Sequence, residues 1–274
     1  MFEGNRNLLP DASQTHRPIE GTAMMLQSKQ SPVICFILVA AMLVPVLLIA
    51  RQSNPNTLTD KETKEGWRLL FDGKSMKGWR GAYMEGLPKK GWDVKDGMLI
   101  VQESGGGEAA FGGDIVTLKE YSSFELTLDF KLTEGANSGI KYFVIEQLPK
   151  TPGSARGLEY QVLDDAKHPD AKLGINGNRT LASLYDIMPA TNKKVNPIGE
   201  WNHARILVKG KHVEHWLNGV KVLEFERGGK EFMAHKAESK FKDMPQFGEY
   251  PKGRILLQDH GNTVYYRNIK VRTF

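Results

Sequence analysis

The sequence predicts an all-β fold, a sandwich or a barrel. Short runs of alternating apolar and polar residues recur from Gly66 onward at roughly ten-residue spacing. Lys95-Asp96-Gly97 and Asn218-Gly219 are hairpin turn signals between such runs. A helical period is almost absent.

Taken in order, residues 1–51 form a leader. Within it, "VICFILVAAMLVPVLLIA" (Val33 to Ala50) is a run of 18 residues without a charge, between Lys29 and Arg51. Its length lies at the lower edge for a bilayer span and is slightly long for a signal-peptide core, and Pro45 would kink a helix. The run reads as a secretory signal, with an uncleaved membrane anchor through residues 33–50 as the alternative. Met24 and Met25 offer a later start with a short Lys-bearing leader. Either way the body is expected to be exported, periplasmic or at the cell surface. Residues 52–65 are polar and read as a linker without structure.

Residues 66–274 form the body, with no internal repeat and no second domain. "GWDVKDGMLIVQ" is a hairpin. "SSFELTLDFKL" sets Phe124, Leu126, Leu128 and Phe130 on one face against Glu125, Thr127, Asp129 and Lys131 on the other. "SGIKYFVIE", "GLEYQVLD", "WNHARILVKG", "KHVEHWLNGVKVLEFE", "GRILLQDHG" and "TVYYRNIKVRTF" read as further strands. Only residues 228–245 could hold a short helix.

The chain has 274 residues and a net charge of +5, but its lysines and arginines are scattered. There is no basic stripe with interleaved aromatics, which argues against nucleic acid. Cys35 is the single cysteine and lies in the apolar run. That excludes an internal disulfide, and also a cysteine metal site or nucleophile in the body.

The polar sides of two strands carry candidate chemistry. Glu159 and Gln161 share a face about 6.6 Å apart along their strand. A carboxylate and an amide in a row suit sugar hydroxyls, and Glu159 could also act as an acid or base. The plainer reading is a solvated face. Gln258 and His260 alternate with Leu257 and Asp259 in the same way. His260 titrates near neutrality and is a candidate for proton transfer; otherwise it braces the turn at Gly261. Lys141 interrupts an apolar strand: facing a cleft it could stabilise a developing oxyanion, facing away it is a surface lysine. Arg267 could clamp a sugar hydroxyl or pair with a surface acid.

Asp164, Asp165, His168 and Asp170 match no strong ligand pattern and read as a solvated acidic loop. His212 and His215 are three apart on a strand and cannot chelate together. Neither a metal nor a cofactor is expected. The Gly-rich stretch 104–113 opens no helix, so it reads as a cleft-edge loop rather than a phosphate cradle.

In order along the chain, "FDGKSMKGW", "GGDIVTLKEYSSFELTLDFKL", "NSGIKYF", "GLEYQVLDD", "SLYDIMPA", "GEWNHARI", "HVEHWLNGVKVLEFE", "SKFKDMPQFG" and "ILLQDHG" resemble the 3-keto-disaccharide hydrolase domain family over about residues 64–274. The resemblance implies a concanavalin-like jelly roll, export, and action on sugars oxidised at carbon three. Members of that family often have His or Tyr where this chain has Arg254. On this reading the substrate is an oxidised saccharide. The expected catalytic residues are Glu159, His260 and Lys141. Gln161, Gln258, Arg267, Asp164 and Tyr185 would bind substrate. The alternative is a non-catalytic carbohydrate-binding module in which exposed Trp79, Trp92, Tyr83 or Tyr185 stack on sugar rings. A two-carboxylate glycosidase is disfavoured, because no second acid follows Glu159 on its own strand.

Overall fold

In the computed structural model, residues 54–109, 111–146 and 154–274 are described. The apolar run at 33–50 lies outside them. Thirteen strands follow in order: β1 (Arg68–Leu69), β2 (Trp79–Gly81), β3 (Trp92–Lys95), β4 (Met98–Val101), β5 (Ile115–Thr117), β6 (Phe124–Leu132), β7 (Asn137–Ile145), β8 (Arg156–Leu163), β9 (Trp201–Lys209), β10 (His212–Leu217), β11 (Val220–Glu226), β12 (Arg254–Leu257) and β13 (Val264–Thr273). Two helices, α1 (Asp60–Lys64) and α2 (Lys230–Glu238), complete the set with a 3-10 turn at Pro169–Lys172. The larger sheet runs β11-β10-β9-β6-β13-β4-β3, with β1 beside β13; the five-stranded sheet runs β2-β5-β12-β7-β8. Every strand pairing is antiparallel. The expected sandwich is therefore present, a jelly roll of two antiparallel sheets.

Alternation decides which side of each strand enters the core. Phe124, Leu126, Leu128 and Phe130 of β6 are all buried between the sheets. Opposite them lie Ile140 and Tyr142 of β7, Leu158, Tyr160 and Val162 of β8, and Leu257 of β12. Burying each such side chain stabilises the fold by about 1.5–3 kcal/mol. Both expected hairpin turns are present: Asp96 and Gly97 have φ of 51° and 73°, and Asn218 and Gly219 have 49° and 79°. This is the paired left-handed geometry that tight hairpins require.

Alternation breaks at Phe143, which has φ 53°. Here the β7–β8 and β7–β12 registers both shift. This bulge turns Tyr142 and Phe143 both toward Phe124 in the core. It sends the following Val144 to the outer face, where Val116, Ala155 and Leu256 form a small apolar cluster.

The remaining histidines behave as spacing required. His215 is buried, bonded to the Ala182 carbonyl at 2.9 Å and the Tyr142 hydroxyl at 2.8 Å. Burial pushes it down to about 4, so it stays neutral. His212 faces outward among Glu214, Glu224 and Glu226. Lys221 already pairs with Glu214 and Glu224 in that cluster.

The polar stretch expected to lack structure is ordered from residue 54 onward. Thr59 and Glu62 form a reciprocal capping box on α1, and Glu62 accepts from Lys270 Nζ at 2.7 Å. The Asn56 backbone N–H donates to Asn268 Oδ1 at 2.6 Å and Asn268 N–H returns a bond to Asn56 Oδ1 at 2.8 Å. Composition alone hid this, because the contacts are polar and come from the distant strand β13. Asn56→Ala should cost about 1–3 kcal/mol by leaving the Asn268 amide unpaired. A lowered melting temperature together with faster proteolysis within residues 54–66 checks it.

Candidate active site

The outer face of the five-stranded sheet is not apolar throughout. Strand pairing sets Lys141 beside Glu159 and Gly139 beside Gln161. The chain leaving β12 continues that row, with the Gln258 N–H donating to the Gly139 carbonyl at 3.0 Å. Gln258 and His260 share parity with Leu256, which pairs with Lys141. Two segments close over the row: the Gly-rich loop supplies Glu108, and the turn after α2 supplies Lys240. Together Glu108, Asn137, Glu159, Gln161, Asp170, Tyr185, Lys240, Gln258 and His260 line a polar cavity of about 40 Å³. A larger groove of about 380 Å³ lies beside α2. The smaller cavity is the better site because buried titratable groups converge on it.

Lys141 lies beneath the cavity and is buried. Its ammonium donates to Ser154 Oγ at 2.6 Å and lies 3.5 Å from Glu159 Oε2 and 3.7 Å from Glu108 Oε1. Ser154 in turn donates to the Asp114 carboxylate. Burial pulls the Lys141 ammonium down, but Glu159, Asp114 and Glu108 outweigh it and hold the group above its ordinary value. Burial pushes the Glu159 carboxyl up, and neighbouring Lys141 only partly offsets this. Asp114 is raised by burial in the same way. One buried cation thus faces three acids, two of which, Glu159 and Asp114, burial raises.

Gly139 makes room for this arrangement. A Cβ there would sit 2.0 Å from Glu159 Oε1. Gln161 donates weakly to Asn137 Oδ1 at 3.4 Å. Its own Oε1 is buried without a hydrogen-bond partner, alone among the side-chain atoms of the described residues. Gln258 Nε2 donates to Glu108 Oε1 at 3.1 Å. Burial lowers His260, so its imidazole is neutral at neutral pH. His168 packs edge-on at 5.7 Å and is lowered too, by burial and then by His260. Asp170 is gripped by Arg179 at 3.0 Å and hydrogen-bonded by the Tyr185 hydroxyl.

Six of the expected residues meet here: Glu159, Gln161, Gln258, His260, Tyr185 and Lys141. Lys141 differs from expectation in role, because its donors are engaged by Ser154, Glu159 and Glu108 and it does not line the cavity. Arg267 lies on the larger sheet, where it bonds Asp129 at 3.2 Å and covers the Trp201 ring at 4.0 Å. Its parity on β13 turns it away from the cavity. Asp164 is a buried loop brace that accepts from the Gly135, Ala166 and Lys167 amides. It does not line the cavity.

The acidic loop is not solvated as expected. Asp165 holds Lys193 at 2.6 Å, and Asp170 enters the cavity. Trp79 and Trp92 are buried, their indoles donating to the Leu70 and Gly113 carbonyls; neither offers a stacking surface. Sequence reading missed Glu108, Asn137, Asp170 and Lys240 as site residues. Glu108 carried a signal, since its Gly-rich loop was expected at a cleft edge. A second acid, Glu108, reaches the cavity from a loop rather than from the strand of Glu159.

The 3-keto-alpha-glucoside-1,2-lyase-like domain matches residues 66–272. The chain belongs to this family. A relative from Bacteroides thetaiotaomicron, a 3-keto-disaccharide hydrolase, is 40% identical over 228 residues, covering 76% of this chain and 78% of its own. A crystal structure from Parabacteroides distasonis, described as a candidate glycosyl hydrolase, is 34% identical with TM-score 0.71. It covers 81% of this chain and 100% of its own. A second from the same organism is 28% identical with TM-score 0.56, covering 76% of this chain and 99% of its own. Family membership makes the protein a glycoside hydrolase-like enzyme.

Gly139 offers a test confined to geometry. Gly139→Ala should fold, because the clash falls on the flexible end of Glu159, yet push that carboxylate off its place. A displacement of about 1 Å can cost about 10²-fold in rate. Turnover per folded protein, with the melting curve measured beside it, checks it.

Proposed function

We propose that the protein hydrolyses glycosides already oxidised to the ketone at carbon three, in the periplasm or at the cell surface. The observation that carries this reading is the meeting of three groups in one polar cavity. Glu159 is a carboxyl that burial holds above its ordinary value. His260 is an imidazole that burial keeps neutral. Gln161 offers a buried acceptor without a partner. They supply an acid, a base and a place for a hydroxyl. The name of the Bacteroides thetaiotaomicron relative supports the substrate class.

The ketone acidifies the proton on carbon two. His260 takes that proton, and the electron pair moves onto the carbon-three oxygen as an enolate. The pair then returns to form the double bond between carbons one and two, and the carbon-one to oxygen bond breaks. The departing oxygen takes its proton from Glu159. Water adds to carbon one, giving a proton to Glu159, while His260 returns its proton to carbon two. The net change is hydrolysis, and both residues are restored. Gln161 and Gln258 hold ring hydroxyls, and Lys141 fixes the Glu159 carboxyl from below.

A two-carboxylate glycosidase is the second reading. It is favoured by one observation: Glu108 and Glu159 both reach Lys141 from the same cavity. Paired assays on 3-keto-glucosides and their unoxidised parents separate the two. Release from the keto substrates alone supports elimination, and equal release from the parents supports the second reading.

Elimination further requires that Glu159→Gln depend on the leaving group. With an alcohol leaving group the loss should be about 10²–10⁴-fold, and with 4-nitrophenolate, which needs no proton, close to none. His260→Ala should slow both substrates. The wild-type rate should fall as pH drops through the lowered His260 value and as it rises through the raised Glu159 value. Glu159→Gln should remove the alkaline limb. Leaving-group independence would remove Glu159 from the acid role.

A further inference from the structure

Elimination through an enolate needs a positive group at the carbon-three oxygen, and Lys141 does not reach the cavity. The remaining cation on the cavity wall is Lys240. Carboxylates dominate that wall, with Glu108, Glu159 and Asp170 all present. A lysine in such company would ordinarily be neutralised by one of them. Lys240 is not. Among the described residues no carboxylate lies within ion-pairing distance of its ammonium. It rests instead over the Tyr185 ring, 4.3 Å from the centroid, and 5.3 Å from that of Phe241. An aromatic face attracts the charge while leaving the N–H donors free.

The segment that carries Lys240 is fixed from several sides. Its backbone N–H donates to Asp186 Oδ2 at 2.7 Å, and Asp186 is itself held by Arg179 at 2.6 Å. Ser239 Oγ accepts the Phe241 N–H at 3.0 Å. Phe241 stacks on Phe247 with centroids 4.0 Å apart. The Tyr185 ring is held in turn by Asp170 at its hydroxyl. The ammonium is therefore anchored at its backbone and along its stem and open at its tip.

We infer that Lys240 is the group that donates to the ketone oxygen of the substrate and stabilises the enolate formed there. This rests on the elimination reading and completes it: Lys141 organises the acids beneath the sugar, and Lys240 meets the oxygen from above. A preorganised donor aimed at a developing oxyanion is worth about 10²–10³ in rate. Arg keeps a charge at this place and Met keeps only the stem.

The test uses the full chain and its Lys240→Met and Lys240→Arg variants. The first readout is turnover of a 3-keto-glucoside. The second is exchange of the carbon-two proton of free 3-keto-glucose in D₂O, followed by NMR. Exchange reports enolate formation without bond cleavage. Lys240→Met should lower exchange and kcat together by about 10²–10³-fold with KM within a few-fold, and Lys240→Arg should recover part of both. The melting temperature should not move, because the side chain is exposed. Wild-type exchange in Lys240→Met, or a rise in KM alone, would overturn the inference while leaving elimination standing. A wild-type enzyme that neither exchanges nor cleaves keto substrates would overturn the elimination reading and this inference with it.

Discussion

The site depends on a lysine that the fold has placed where a lysine is costly. Lys141 sits in the middle of β7, buried, between Glu159 and the Ser154–Asp114 pair, with Glu108 arriving from above. A buried ammonium without partners would lose its proton or unfold the strand. Three carboxyls around one ammonium reverse that. Burial holds the Glu159 carboxyl above its ordinary value, and Lys141 only partly offsets it.

Backbone geometry brings these groups together. Antiparallel pairing of β7 with β8 puts Lys141 beside Glu159, and the missing side chain at Gly139 lets the Glu159 carboxylate lie across the sheet. The bulge at Phe143 ends the polar patch. Beyond it the same face becomes the small apolar cluster of Val116, Val144, Ala155 and Leu256. The polar cavity is therefore bounded along β7 by a change of register. The loops above add what the sheet lacks: a second acid from the Gly-rich loop and a cation from the turn after α2.

Much of this was legible in the sequence, for physical reasons that also explain the failures. Period-two alternation identified the inner faces of β6 and β8 and, with them, the outward rows Glu159–Gln161 and Gln258–His260. The Asp-Gly and Asn-Gly pairs located hairpins because few other residues adopt their left-handed geometry. Alternation says nothing about which of two sheets a strand joins. Arg267 has the right strand character and lies on the wrong sheet. Residues that reach the cavity from loops, Glu108, Asp170 and Lys240, have no period to betray them. Asp164 and the ordered stretch around Asn56 and α1 were misread for another reason: their partners are backbone amides or residues far along the chain, and composition carries no record of those.

The most direct test of the central claim is a pH titration of the Glu159 side-chain carboxyl by ¹³C NMR in the full chain, assigned by comparison with Glu159→Gln. The expected result is a midpoint above the ordinary glutamate value of 4.5, moving further up when Lys141 is replaced by Met. A midpoint at or below 4.5, or one indifferent to Lys141, would contradict the account: Glu159 would then be an ordinary ionised carboxylate and could not serve as the acid.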